Sequence, residues 1–121
     1  MRKITRTFEN ITITVCRPTN AMRSSRDRVY VMLSIPEDRI IAIRQDEFAK
    51  IVAYTESVSG LDFEFPKIDW DRERLIKAFK DFDQNWDGAL TEWWLGAVEA
   101  VMAPISPELG NKPLSEDANP N

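Results

Sequence analysis

A chain of 121 residues with 43% hydrophobic and 30% charged side chains suits one globular domain with a modest core, leaving disorder only a local place. A net charge of −4 and a pI near 4.9 argue against nucleic acid, which calls for a basic domain with aromatics placed to stack. The chain has no histidine, so triads and zinc motifs built on it are excluded, and its lone Cys16 rules out an internal disulfide and fits a reducing compartment.

In chain order, residues 3–15 alternate apolar and polar positions, with Ile4, Ile11, Ile13 and Val15 spaced for a strand face and Glu9-Asn10 able to form the turn of a short hairpin. Pro18 ends that pattern. Thr19 or Asn20 can cap a helix through MRSSRDRVYVML, with Met22, Val29 and Leu33 on its inward stripe; a strand over residues 29–33 competes, because Val-Tyr-Val favours β structure. Pro36, Glu37 and Asp38 suit the first turn of a second helix, which the pattern carries past Ile41, Phe48, Ile51, Val52 and Thr55 to Gly60. LDFEFP, residues 61–66, reads as a short strand or an extended connector. From Asp69 a third helix places Leu75, Phe79, Phe82 and Trp86 on one stripe, broken by Asp87-Gly88. Thr91 is the expected cap of the last helix, in which Trp94, Val98, Val101 and Met102 share a stripe and Trp93 projects beside it.

Those elements predict an α+β, mainly α fold: a short N-terminal β-hairpin (1–18) and about four helices (19–103) in a single globular domain of residues 1–103. A flexible, proline-bearing C-terminal tail (104–121) follows. The basic start lacks the apolar run of a secretory signal, and no stretch is long enough to span a membrane. A cytoplasmic protein is expected.

One stretch resembles a calcium site. Counting Asp83 as the first ligand of an EF-hand loop, Asn85 and Asp87 take the third and fifth places and Gly88 the turn. The twelfth place holds Trp94, where a bidentate glutamate belongs, and Glu92 stands two residues early. An ordinary turn between two helices is the reading preferred, with no metal assigned.

Charge and aromatics are both unevenly spread. Residues 1–30 carry seven basic side chains against two acidic, and the remainder nine against eighteen. That asymmetry suits either a solvated basic face or complementarity between copies or toward an acidic partner, so self-association stays open. Four tryptophans (70, 86, 93 and 94) fall within 25 residues, more than a core of this size usually encloses. The expected partner-binding surface is Phe82, Trp86, Trp93 and Trp94, with Trp94 the most core-like and Trp93 the best placed for recognition. No dinucleotide or phosphate-binding loop is present, no cofactor is expected, and the chain is not read as an enzyme.

The order ITITVCRPT, NAMRSSRDRVYVML, SVSGLDFEFP, TEWWLGAVEAVMAPISPE and PLSEDANPN resembles the tail assembly chaperones of long-tailed, siphovirus-like bacteriophages, across nearly the whole chain and in texture more than in any single motif. The resemblance implies a non-enzymatic factor that binds and solubilises the helical, apolar tape measure protein in the cytoplasm of the infected bacterium and is absent from the mature virion. It also implies that this chain is the shorter of two products, the longer arising by frameshifting. The EF-hand-like turn departs from that family and leaves a calcium-binding or other small protein-interaction module as the alternative.

Overall fold

In the computed structural model, which describes residues 2–104, a three-stranded sheet packs against four helices in an α+β, mainly helical arrangement. Residues 105–121, most of the expected tail, lie outside the described residues.

β1 (Lys3–Phe8) and β2 (Ile11–Cys16) pair antiparallel from Lys3 opposite Cys16 to Phe8 opposite Ile11, so Glu9-Asn10 is a two-residue hairpin turn. Glu9 takes a positive φ of 55°, which the turn imposes on its first central residue. α1 (Asn20–Met32) starts at Thr19, whose hydroxyl accepts from the Met22 amide, and the helix wins over the competing strand because Val29 and Leu33 are both buried on its inward side. α2 (Arg39–Tyr54) is capped by Asp38, which accepts from the Ile41 amide at 2.9 Å; Pro36 and Glu37 therefore belong to the connection and not to the first turn. The two helices pack together as a hairpin joined by residues 33–38.

α2 does not continue to Gly60. It ends at Tyr54, and the next residue opens β3 (Thr55–Ser59), which pairs antiparallel with the free side of β2 and makes it the central strand. No glycine or proline breaks the helix there. TESVS is poor in helix formers, and pairing with β2 supplies the hydrogen bonds that further helix would have made. Thr14 faces Ser57 while Val15 faces Thr55, so Glu56 is the extra residue of a bulge. Gly60 then turns the chain at φ +91°, where a Cβ would stand 2.0 Å from the Asn10 carbonyl oxygen. Only glycine fits against the hairpin turn.

Residues 61–66 form no strand and lead to α3 (Arg72–Asn85), capped by Asp71 and not Asp69. α4 (Gly88–Met102) follows α3 across the two residues Trp86 and Asp87 and is capped by Asp87, not Thr91. The Thr91 hydroxyl instead donates back to the Asp87 carbonyl. Gly88 is tolerated in the first turn because Asp87 satisfies an amide there. α4 lies against β1 and β2, closing the core around Ile13, Val15, Phe48, Leu75, Phe82 and Trp94. No basic residue stands in the last turn of α4; Arg2 and Arg17 reach from the sheet and donate to the Ala103 carbonyl at 3.0 and 3.3 Å, supplying positive charge at the negative end of the helix.

Candidate functional site

The four aromatic residues expected to meet a partner are distributed otherwise. Trp94 is wholly buried, its indole Nε1 donates to the Thr55 hydroxyl at 2.9 Å, and its ring stacks on Phe65 at 5.3 Å. Phe82 is buried against Phe48. Neither can line a contact, because each fills space between elements that a partner cannot enter without unfolding them. Trp86 and Trp93 are partly buried and stay in reach of the surface: Trp86 packs between Phe82 and Phe63, and Trp93 lies on Phe8 of β1 at 5.3 Å. Each ring thus already has an aromatic neighbour. Trp70, half-buried, carries the Arg74 guanidinium over its face at 4.1 Å.

The calcium reading loses its geometry for a related reason. α3 runs through Asn85, so Asp83 and Asn85 are two helical residues pointing about 200° apart. Asp83 pairs with Arg44 at 3.4 Å, Asn85 donates to Asp81, and Asp87 is spent as the cap of α4. Gly88 is helical, without the positive φ that a sharp loop turn would use. Among the described residues no group of three or more cysteine, aspartate and glutamate side chains is placed to hold a metal ion. None of the described helices is long and apolar enough to cross a membrane.

Two basic residues of α1 are also occupied within the fold. Arg26 pairs with Asp27 at 2.7 Å, and Arg28 donates to the carbonyls of Ile68 and Trp70.

What the surface does offer is aliphatic. Ile35 is 91% exposed, Val31 72%, Ile40 64% and Ile43 51%, and all four stand at one end of the α1–α2 hairpin: the last turn of α1, the connection, and the first turns of α2. Single exposed apolar residues are ordinary, but four β-branched ones at one tip form the kind of patch that marks a docking surface. Asp38 anchors this tip as the α2 cap, and Gln45, buried about two turns further on, donates from Nε2 to the Ser34 carbonyl at 2.8 Å, holding the connection against the helix. Ile41, between Ile40 and Ile43, turns inward onto the core. The signal was present in RIIAIR: three isoleucines within four residues cannot all face one side of a helix whose inward stripe also holds Phe48 and Val52.

On the outer face of the sheet, Lys3, Cys16 and Glu56 meet across the three strands. The Lys3 ammonium lies 2.6 Å from the Glu56 carboxylate and the Cys16 thiol donates to it at 3.3 Å. The hydrogen bond from Lys3, then that from Cys16, lowers the Glu56 carboxyl below its ordinary range, and the same pairing raises Lys3. Burial, followed by the neighbouring carboxylate, raises the Cys16 thiol, which keeps it protonated and a poor nucleophile. Beside this trio, hydroxyl pairs join Thr5 to Thr14 at 2.8 Å and Thr7 to Thr12 at 3.0 Å. The arrangement ties strands together.

Compared with protein-family models, curated proteins and solved structures, the chain matches none.

Proposed function

We propose that this chain is a non-enzymatic tail assembly chaperone of a long-tailed bacteriophage, and that it holds the apolar face of a tape measure helix on the aliphatic tip of its α1–α2 hairpin. The observation that carries the reading is the group of four half to nine-tenths exposed aliphatic side chains, Val31, Ile35, Ile40 and Ile43, at a place where two helix ends and a connection form a firm platform. An amphipathic helix presents a stripe of similar chemistry, and burying the two against each other removes apolar surface from water on both sides. The net charge of −4 would help keep a complex with a long apolar chain in solution. The order of sequence segments that resembles these chaperones supports the identity of the partner. Its place of action would be the cytoplasm of the infected bacterium, with the protein left out of the finished virion.

Co-expression with an apolar helical segment of the tape measure protein tests this directly. The wild-type chain is expected to keep the segment soluble and to co-purify with it, and the double variant Ile35→Asp with Ile40→Asp is expected to lose most of that capture while melting at the same temperature. Undiminished capture by the double variant overturns the assignment of the tip. A concentration-dependent dimer abolished by the same substitutions would give the tip to a second copy of the chain.

A further inference from the structure

The sheet and α4 share two ends that differ in charge. β1 and β2 run from the Lys3–Cys16 pair to the Glu9-Asn10 turn; Leu90 of α4 lines one cleft with Asn10 and Ile11 at the turn, and the carbonyl of the α4 cap, Ala103, is held by Arg2 and Arg17 at the other end. A strand of six residues sets those ends about 20 Å apart. The cleft at the turn end has a volume of about 490 Å³ and lies between the hairpin turn, residues 60–63, the end of α3 and the start of α4. Trp86 and Phe63, with ring centroids 5.4 Å apart, make its aromatic wall. Its polar side chains are Asn10, Asp62, Asp81, Asn85 and Asp87, with no lysine or arginine among them. Asp81 accepts from Asn85 and Asp87 caps α4, but none of the three carboxylates pairs with a cation among the described residues. α3 adds to the negative potential, because it ends at the cleft with no basic residue in its last turn. At the opposite end Arg2 is exposed and Arg17 half-buried, and neither pairs with a carboxylate among the described residues, Glu99 of α4 included. The Ala103 carbonyl satisfies a donor of each guanidinium without cancelling its charge.

We propose that the chain associates head to tail, with the Arg2–Arg17 end of one copy seated in the acidic cleft of the next. The cleft suits a guanidinium in two ways: its carboxylates can accept the N–H groups, and its aromatic wall can take the flat face, as Trp70 already takes that of Arg74 at 4.1 Å. A second copy is the occupant because the chain carries the complement itself. Residues 1–30 hold seven basic side chains to two acidic, the remainder nine to eighteen, and the fold sets the arginine pair and the acidic cleft at opposite ends of one sheet. Two copies meeting end to end therefore bring unlike charges together, whereas like ends repel. Since the two surfaces differ, every pair still has one basic end and one cleft to offer, and a contact of this kind extends as an open chain or closes as a ring. The proposal does not rest on the reading of the aliphatic tip.

Sedimentation velocity of the full chain, from micromolar to millimolar concentration in low salt, tests this. Species larger than a dimer are expected, with association weakened roughly tenfold as sodium chloride rises from about 50 to about 300 mM, because the contact joins charges at the surface. Asp62→Asn with Asp81→Asn, and Arg2→Gln with Arg17→Gln, are each expected to stay monomeric. An equimolar mixture of these two variants is expected to form a dimer that grows no further, since each retains one competent end; damage to the fold would not give that result. Should loss of both arginines loosen α4, the acidic-side variant still decides, because adding it to the wild-type chain is expected to shorten the assemblies. A wild-type dimer that grows no further, or association unchanged by Asp62→Asn with Asp81→Asn, overturns the proposal. Association lost instead in Ile35→Asp with Ile40→Asp overturns it too and gives the contact to the tip. A wild-type chain that stays monomeric at millimolar concentration also overturns it, and leaves the basic end to residues 105–121, whose Glu108, Glu116 and Asp117 follow Ala103 in the same chain.

Discussion

The aromatic side of the molecule and its aliphatic tip treat apolar residues in opposite ways. Around α3, α4 and the sheet, large rings find one another: Phe48, Phe79, Phe82, Trp86 and Trp94 form a connected series, and residues 60–66 lay Phe63 on Trp86 and Phe65 on Trp94. At the α1–α2 tip, smaller residues are left facing water. Size explains the difference. A ring gains most from burial and is reached by several elements at once, whereas the first turn of a helix that ends the packed layer has neighbours on one side only. Apolar content in a sequence therefore says less about where a surface is sticky than the position of that content relative to the ends of packed elements.

The contrast can be broken most severely at Trp94. Trp94→Ala should cost about 3 to 5 kcal/mol in denaturant unfolding, since it opens a large cavity and leaves the Thr55 hydroxyl without the donor it now has. A loss under about 1 kcal/mol would mean that the aromatic series is not the seat of stability.

Gly60→Ala tests the same side through the backbone. The added Cβ meets the Asn10 carbonyl oxygen, and the positive φ is strained for alanine, so a loss of about 2 to 3 kcal/mol is expected by the same measurement. Unchanged stability would show that residues 60–66 are not held by the hairpin turn.

At the tip the expected effect on folding is small. Ile35→Asp combined with Ile40→Asp should shift the unfolding free energy by no more than about 0.5 kcal/mol, because neither side chain is packed. A loss as large as that of a core substitution would move the tip into the same class as the aromatic side and remove the distinction.

The smallest effect is one of pH. The lowered Glu56 carboxyl adds stability above the ordinary glutamate range and loses it as pH falls through the folded value; raised Lys3 adds stability below the ordinary lysine range and loses it as pH rises through its own. Glu56→Gln should therefore be less stable than the wild type at neutral pH, and the gap should close as pH falls below the ordinary glutamate range. A gap independent of pH would assign the role of Glu56 to the bulge geometry and not to its charge.

Much of the fold could be read locally. The hairpin and its Glu9-Asn10 turn, the start of α1 and the inward stripe of Leu75, Phe79 and Phe82 each depend on neighbours a few residues apart, and each stands where the pattern put it. β3 could not be read that way. TESVS becomes a strand only because the free side of β2, some forty residues earlier, is open to it, and no local signal announces that pairing. The caps are less plain in the sequence: nothing local separates Asp71 from Asp69, and Asp87 stands beside a glycine that reads as a breaker. The site was less legible than the fold. Periodicity nominates Trp94 and Ile40 alike as apolar, and only the packing of α4 on the sheet and of α2 on α1 decides that one is enclosed and the other is not.

The two arginines that hold the Ala103 carbonyl bring residues 2 and 103 into one corner of the molecule. A donor and an acceptor dye attached at these two positions would transfer energy almost completely while the domain is folded. Loss of transfer would then report the release of the end of α4 from the sheet, giving a ruler for when that corner comes apart.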